Sequence, residues 1–144
     1  MSRLKDKIAI ITGAAKGMGA LHAQRFVEEG AKVVIADIAD EGKEVADELG
    51  ENAVFMELDV TDEENWKKVV ENTEDTFGPI DILVNNAGIV GSIKPLIEYS
   101  TEDYKNVVDV NRVGTFLGMK TVYPSMKKTD NGTIVNVSSA AGIT

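Results

Sequence analysis

The chain has 144 residues, 43% of them hydrophobic, which suits one domain with a buried core. Its net charge of -9 and its scattered Lys and Arg residues argue against a nucleic-acid partner, because phosphate binding needs clustered positive charge. With no Cys, a charged N-terminus and no apolar run near the roughly 20 residues of a membrane span, we expect a cytoplasmic protein without disulfides or a membrane partner.

Apolar runs of strand length alternate with amphipathic stretches from the N-terminus onward. The first half of the chain predicts a strand at residues 8–12, a helix from Gly17 to a C-cap at Gly30, a strand at 32–36, a helix at 40–49 stopped by Gly50, and a strand at 53–58. Each strand is thus followed by an amphipathic segment long enough to return the chain to the start of a parallel neighbour.

The capping-box pattern Thr61-Asp62-Glu63-Glu64 predicts the start of the next helix, with Thr61 as its N-cap. We expect this helix to close at Phe77-Gly78-Pro79 and a fourth strand to occupy residues 80–84. A long loop then surrounds Gly88, Gly91 and Pro95.

Ser100 is predicted to cap a helix that extends from Thr101 to Met126, with Pro124 disturbing its last turns because it lacks a backbone donor. A fifth strand is expected at residues 133–137. No repeat or linker divides the chain, so residues 1–144 are predicted to form a single domain. Near-continuous apolar strands separated by helices indicate a doubly wound parallel α/β sheet, which binds ligands beyond the carboxyl ends of its strands.

A glycine-rich segment follows the first strand, with the sequence Thr12-Gly13-Ala14-Ala15-Lys16-Gly17-Met18-Gly19. Glycines allow a tight turn and the close approach of backbone N–H groups to a pyrophosphate, and a helix N-terminus adds partial positive charge. The spacing G-x-x-x-G-x-G differs from the commoner G-x-G-x-x-G. An ordinary glycine-rich turn between a strand and a helix is the alternative interpretation.

Asp37 follows the second strand, eighteen positions after Gly19. A carboxylate there accepts hydrogen bonds from an adenosine ribose and repels a 2′-phosphate, which favours NAD over NADP. Lys16 in the glycine segment acts in the opposite direction, because a cation there pairs with that phosphate. We give Asp37 the greater weight and predict NAD as the cofactor.

Two more polar segments follow the third and fourth strands. Asp59-Val60 offers a carboxylate for an adenine amino group and an apolar side chain for its ring, and Asn85-Asn86-Ala87-Gly88 offers two amides and a tight turn. Each segment alone is more typical of a turn or a cap. Polar and glycine-rich segments at four successive strand ends together predict a nucleotide site.

These motifs, with Asn111 and Val135-Asn136-Val137-Ser138-Ser139, resemble the short-chain dehydrogenase/reductase family over essentially the whole sequence. The resemblance implies a Rossmann-like sheet in the order 3-2-1-4-5, continuing to further strands in a complete member. It also implies transfer of a hydride between a nicotinamide cofactor and a secondary alcohol or carbonyl compound. Within the family, the sequence is similar to bacterial hydroxysteroid and secondary-alcohol dehydrogenases.

The resemblance assigns expected roles to individual residues. The pyrophosphate side is assigned to Gly13, Lys16, Gly17, Met18 and Gly19, the adenosine ribose to Asp37 and Ile38, the adenine to Asp59 and Val60, and the nicotinamide half to Asn86, Ala87 and Gly88. Catalytic roles fall to Ser139, which is expected to hydrogen-bond the substrate oxygen, and to Asn111, which is expected to hold a relay water. Ser138 is the neighbouring alternative to Ser139.

Family members also need a Tyr about a dozen positions after that Ser and a Lys four positions later, and the sequence contains neither. The substrate lid is likewise expected to be absent. The segment from Tyr123 to Lys127 matches Tyr-x-x-x-Lys by letter but precedes Ser139. We therefore expect the chain to be truncated relative to the family fold, to bind a cofactor and not to catalyse the reaction.

The long helix from Thr101 to Met126 carries more apolar residues than one core-facing stripe requires. The resemblance implies that this helix mediates homo-oligomerisation in the full-length form. His22, the only histidine, has no second ligand at metal-binding spacing, so no metal site is predicted.

Two other functions remain as alternatives. A non-catalytic nucleotide-binding or scaffold module would use the same strand-end motifs. A phosphoacceptor receiver or flavodoxin-like domain has similar length, and Asp59 ends a third strand as a phosphoacceptor would. A receiver also needs acidic metal ligands after its first strand, where this chain has Gly13-Ala14-Ala15.

Overall fold

The computed structural model describes residues 2–140 and contains one parallel sheet of five strands. The strands are β1 (Ile8–Thr12), β2 (Lys32–Asp37), β3 (Ala53–Glu57), β4 (Ile82–Asn85) and β5 (Thr133–Asn136). Their spatial order is β3-β2-β1-β4-β5, and every neighbouring pair is parallel. The predicted doubly wound α/β fold and the predicted strand order are confirmed.

Five α-helices connect the strands. They are α1 (Gly17–Glu28), α2 (Gly42–Leu49), α3 (Glu63–Thr76), α4 (Thr101–Val108) and α5 (Gly114–Met126). Side chains of β1 alternate between the two faces of the sheet, so that Ile10 joins one hydrophobic cluster while Ala9 and Ile11 join the other. The first cluster includes Trp66 of α3 and Val122 of α5, and the second includes Ala23 of α1 and Ala46 of α2, so helices cover both faces of the sheet.

The predicted long helix is interrupted in its middle. A π-helical turn, Asp109–Val113, separates α4 from α5, and the sequence analysis did not predict it. Such a turn places one extra residue in the helix and redirects the side chains that follow. The helical segment ends at Met126 as predicted, with Pro124 in the last turn of α5.

The start of α3 lies one residue later than the capping-box pattern predicted. Asp62 is the N-cap, and its carboxylate accepts hydrogen bonds from the backbone N–H groups of Glu64 and Asn65. Thr61 instead donates its hydroxyl to Asp59, at 2.7 Å. Ser100 caps α4 as predicted, accepting a hydrogen bond of 3.0 Å from Asp103 N.

Several predicted bounds differ from the structure by one or two residues. β2 extends to Asp37, β3 ends at Glu57, α2 begins at Gly42, β4 spans Ile82–Asn85 and β5 ends at Asn136. The later start of β4 has a local reason, because Ile80 N donates to the buried Ser125 hydroxyl of α5 and not to a neighbouring strand. Within residues 2–140, no helix has the length and apolar character needed to span a membrane.

Candidate functional site

A cleft of about 410 Å³ lies beyond the carboxyl ends of β1 to β4. Its lining includes nine residues of the expected cofactor site, namely Gly13, Lys16, Asp37, Ile38, Asp59, Val60, Asn86, Ala87 and Gly88. Four further lining residues were not predicted, namely Ala39, Leu58, Ile89 and Val110. The four strand-end segments therefore meet in one place.

The glycine segment turns tightly between β1 and α1. Gly13 has φ 64°, and a Cβ at this position would lie 2.8 Å from the Ala87 Cα atom, so the segment packs directly against the end of β4. Gly19 is buried beneath the turn, where a Cβ would collide with the carbonyl oxygen of Gly13. Gly17, Met18 and Gly19 form the first turn of α1 and do not line the cleft.

Thr12 is a structural centre of the site that the sequence analysis missed. Its buried hydroxyl accepts hydrogen bonds from the backbone N–H groups of Asn86 (3.0 Å) and Ala87 (2.9 Å). The side-chain amide nitrogen of Asn86 in turn donates hydrogen bonds to the backbone carbonyl oxygens of Thr12 (3.0 Å) and Gly13 (3.2 Å). The side chain of Asn86 therefore holds the glycine segment against β4, which is a structural role distinct from ligand contact.

Asp37 connects the end of β2 to the glycine segment. One carboxylate oxygen accepts a hydrogen bond from Ala15 N at 2.9 Å, and the other accepts one from Ala39 N at 3.0 Å. A carboxylate has about four acceptor directions, so two remain for a ligand in the cleft. Ile38 and Lys16 are both exposed at the edge of the same cleft.

Asn111 lies in the π-helical turn, and its side chain forms hydrogen bonds to the loop that follows β4. Its carboxamide oxygen accepts from Ile89 N, and its amide nitrogen donates to Ile89 O, each at 2.8 Å. This pair of bonds brings Ile89 and Gly88 to the cleft, while Asn111 itself is outside the cleft lining. Each of these carboxamide groups keeps a second hydrogen-bonding direction, and the expected water-holding role of Asn111 stays a prediction.

Ser138 and Ser139 follow β5, next to the last ladder bond, in which Val137 N donates to Asn85 O at 3.0 Å. Both serines are exposed, and neither lines the cleft. Tyr123 lies near the end of α5 with 59% of its surface exposed, and the Lys127 ammonium lies 6.0 Å from its ring centroid. Tyr123 is therefore an exposed residue that does not line the cleft.

A metal site finds no support in the described part of the chain, which contains no group of three His, Cys, Asp or Glu side chains able to hold an ion. His22 lies in α1, and its Nδ1 atom is buried without a hydrogen-bond partner among residues 2–140. A single unpartnered imidazole nitrogen does not make a ligand set.

Known proteins of similar sequence include hydroxysteroid and alcohol dehydrogenases. The chain is 44% identical over 142 residues to 3-alpha-(or 20-beta)-hydroxysteroid dehydrogenase of Mycobacterium tuberculosis, a match that covers 98% of this chain and 54% of the relative. It is 41% identical to trans-4-hydroxycyclohexanecarboxylate dehydrogenase of Sinomonas cyclohexanicum, covering 98% of this chain and 58% of that protein.

A third relative is the NADP-dependent (R)-specific alcohol dehydrogenase of Lentilactobacillus kefiri, at 42% identity over 97% of this chain and 57% of the relative. The chain thus spans a little over half the length of these curated relatives. A family model described as short chain dehydrogenase matches residues 7–144. Together with the strand order and the cleft, this match establishes that the chain belongs to the short-chain dehydrogenase family.

Proposed function

We propose that this chain is an NAD-binding Rossmann-like domain of an oxidoreductase that interconverts a secondary alcohol and its ketone. The observation that carries the proposal is the cleft at the ends of β1 to β4, which brings the glycine segment, Asp37, Asp59 and the turn at Gly88 together. Ligands of doubly wound sheets bind at this position. When bound, the nicotinamide cofactor supplies the hydride acceptor or donor.

The first turn of α1 supports the binding of a pyrophosphate. Its N-cap, Lys16, makes no side-chain cap bond, and no acidic residue occupies the first turn. The helices α3 and α4, by contrast, are capped by the side chains of Asp62 and Ser100. Gly17 has φ 58°, and a Cβ there would meet nothing within 4 Å, so the site has open space beside uncapped backbone donors.

The position of Asp37 favours NAD over NADP. Its carboxylate is held by Ala15 N and Ala39 N and stays oriented toward the cleft, where it would accept hydrogen bonds from ribose hydroxyls and repel a 2′-phosphate. Lys16 lines the same cleft and would attract that phosphate. The two orienting bonds to Asp37 are the reason for placing its influence above that of the exposed lysine.

Catalysis in the full-length protein would use Ser139 and Asn111, which lie outside the cleft lining. Ser139 would donate a hydrogen bond to the substrate oxygen. Asn111, whose backbone carbonyl oxygen accepts a hydrogen bond from the Thr115 hydroxyl at 2.9 Å, would hold a relay water. The Tyr and Lys that would transfer the proton are not in the 144-residue sequence, so this polypeptide would bind cofactor without turnover.

The loop after β4 supports an apolar substrate. Ile89 is held at the cleft, and the exposed large side chains that follow it are Val90, Ile93, Leu96 and Ile97. Such a surface beside the nicotinamide end of the cleft suits a compact apolar secondary alcohol or ketone.

Exposed Tyr104, Phe116 and Tyr123 on α4 and α5 support homo-oligomerisation of the full-length form through this helical face.

Calorimetric titration of the 144-residue chain with NAD and NADP tests cofactor binding, and an alcohol-oxidation assay tests turnover. We expect NAD to bind at least about tenfold more tightly than NADP, because one carboxylate contact with ribose is worth about that factor. Asp37→Ser is expected to remove this preference, whereas Asp40→Ser, which changes an exposed neighbouring carboxylate, keeps it. Absence of NAD binding would refute the proposal.

NAD binding by a full-length protein that catalyses no hydride transfer would instead support a non-catalytic nucleotide-binding module. Normal turnover by the 144-residue chain would show that the missing Tyr and Lys are not needed.

A further inference from the structure

We propose that Asn65 and Trp66 are positioning residues for the adenine-binding wall of the cleft, an inference that rests on the proposed NAD site. Both residues lie in the first turns of α3, outside the cleft lining. They contact the backbone of the segment between β3 and α3, which supplies Leu58, Asp59 and Val60 to the cleft. Their contacts determine where those three residues lie before any ligand binds.

Asn65 bridges the backbone on both sides of Leu58. Its carboxamide oxygen accepts a hydrogen bond of 2.7 Å from Asp59 N, and its amide nitrogen donates one of 3.2 Å to Glu57 O. Because β3 ends at Glu57, these two bonds lie at the point where the chain leaves the strand. Asn65 therefore sets the direction in which the chain leaves β3 and carries Asp59 into the cleft.

Trp66 binds the backbone of Val60, the residue after Asp59. Its indole Nε1 donates to the Val60 carbonyl oxygen at 3.0 Å, and its side chain has 0% exposure. The ring packs closely on α5, where a Cβ at Gly118 would lie 2.9 Å from the indole Cζ2 atom. Gly114, at the start of the same helix, packs against the Val60 side chain, because a Cβ at Gly114 would lie 2.8 Å from Val60 Cγ2. Val60 is therefore confined between Trp66 of α3 and Gly114 of α5.

The Asp59 carboxylate is oriented by this arrangement. Its Oδ1 atom accepts hydrogen bonds from Thr61 N (2.9 Å) and the Thr61 hydroxyl (2.7 Å). Within residues 2–140, no hydrogen bond to Oδ2 is found, and the residue lines the cleft. This leaves Oδ2 as an acceptor for an exocyclic amino group of a purine, with Val60 beside the ring.

The functional consequence is selectivity for adenine over a base without the amino group. The purine of NAD has an amino donor at the 6-position and an acceptor nitrogen at N1, whereas the purine of its hypoxanthine analogue has a carbonyl acceptor at the 6-position and an N–H at N1. A well-placed Asp59 should favour NAD by about tenfold or more, because the amino group bonds the carboxylate whereas the carbonyl oxygen faces like charge.

The test measures the dissociation constants of NAD and of the hypoxanthine analogue for the wild-type chain and three variants. Trp66→Phe keeps an aromatic ring in the core and deletes the N–H donor, and Asn65→Ala deletes both bridging bonds at a half-buried position. Lys68→Ala changes an exposed residue of the same helix and is the matched control. Melting temperatures are measured in parallel.

We expect the preference for NAD to fall to about twofold or less in Trp66→Phe and Asn65→Ala and to stay at its wild-type value in Lys68→Ala. Loss of thermal stability with an unchanged preference would show a merely structural role and overturn the inference. Equal binding of both nucleotides by the wild-type chain would overturn it while leaving NAD binding intact. Failure of the wild-type chain to bind NAD would instead refute the proposed function itself, together with this inference.

Discussion

Replacing Thr12 with Val should destabilise the fold and weaken cofactor binding, although the two side chains have nearly the same shape. Thr12 is 1% exposed, and its hydroxyl accepts hydrogen bonds from the backbone N–H groups of Asn86 (3.0 Å) and Ala87 (2.9 Å). Valine offers no acceptor, so both donors would lose their partner at a junction that excludes most solvent.

The magnitude follows from the cost of unsatisfied donors. Each buried donor left without a partner costs about 1–3 kcal/mol, and two partly buried donors should together cost about 2–4 kcal/mol. Thr12→Ser is the matched control, because it keeps the acceptor oxygen and removes one methyl group, which costs about 1 kcal/mol. The valine variant should therefore be less stable than the serine variant by about 2 kcal/mol.

Urea denaturation followed by circular dichroism measures this difference through the midpoint at a constant slope. NAD titration adds a second measurement, because Asn86 and Ala87 line the cleft and should shift only in the valine variant. A difference in unfolding free energy below about 0.5 kcal/mol between the two variants would refute the assigned role of the hydroxyl.

Two further predictions concern a close backbone contact and a partly exposed polar network. Gly13→Ala should destabilise the chain by about 2 kcal/mol more than Gly50→Ala. Both positions have positive φ, but only a Cβ at Gly13 would meet backbone, at the Ala87 Cα atom. Equal unfolding free energies of the two variants would contradict this prediction. Hydrogen bonds from Lys128 and then Ser125 lower the pKa of the Glu74 carboxyl from its usual 4.5, so its stabilising contribution is complete above pH 4.5 and is lost as the pH falls through the lowered value. The stability advantage of the wild type over Glu74→Gln should shrink across that acidic range, and a constant difference would contradict the prediction.

The element types, the strand order and the location of the site could be predicted because they depend on local pattern. Near-continuous apolar strands such as Ile8–Thr12 identify a sheet covered on both faces, and alternation with helices makes it parallel. The carboxyl ends of its strands must then lie along one edge. Asp37 and Asp59 were therefore assigned to one site without any knowledge of their contacts.

Element bounds near the site were less predictable, because they depend on competition between neighbouring side chains. At the start of α3, either Thr61 or Asp62 could cap the helix by sequence, and the Asp59 carboxylate settles the choice by engaging the Thr61 hydroxyl. The π-helical turn likewise coincides with a contact to a distant segment, since Asn111 within it binds Ile89, 22 residues away.

What the sequence pattern predicts differs from what only the tertiary structure shows, and the difference has a physical cause. Periodicity and residue type report whether a residue faces the core, but they do not report which backbone group a polar side chain reaches. Thr12 lies 74 residues from Asn86 in the chain and is joined to it by two hydrogen bonds, so the support of the glycine segment appears only once β1 and β4 pair. The sequence identified the residues that face a nucleotide, and the folded structure identified Thr12, Asn65 and Trp66 as the residues that hold them in place.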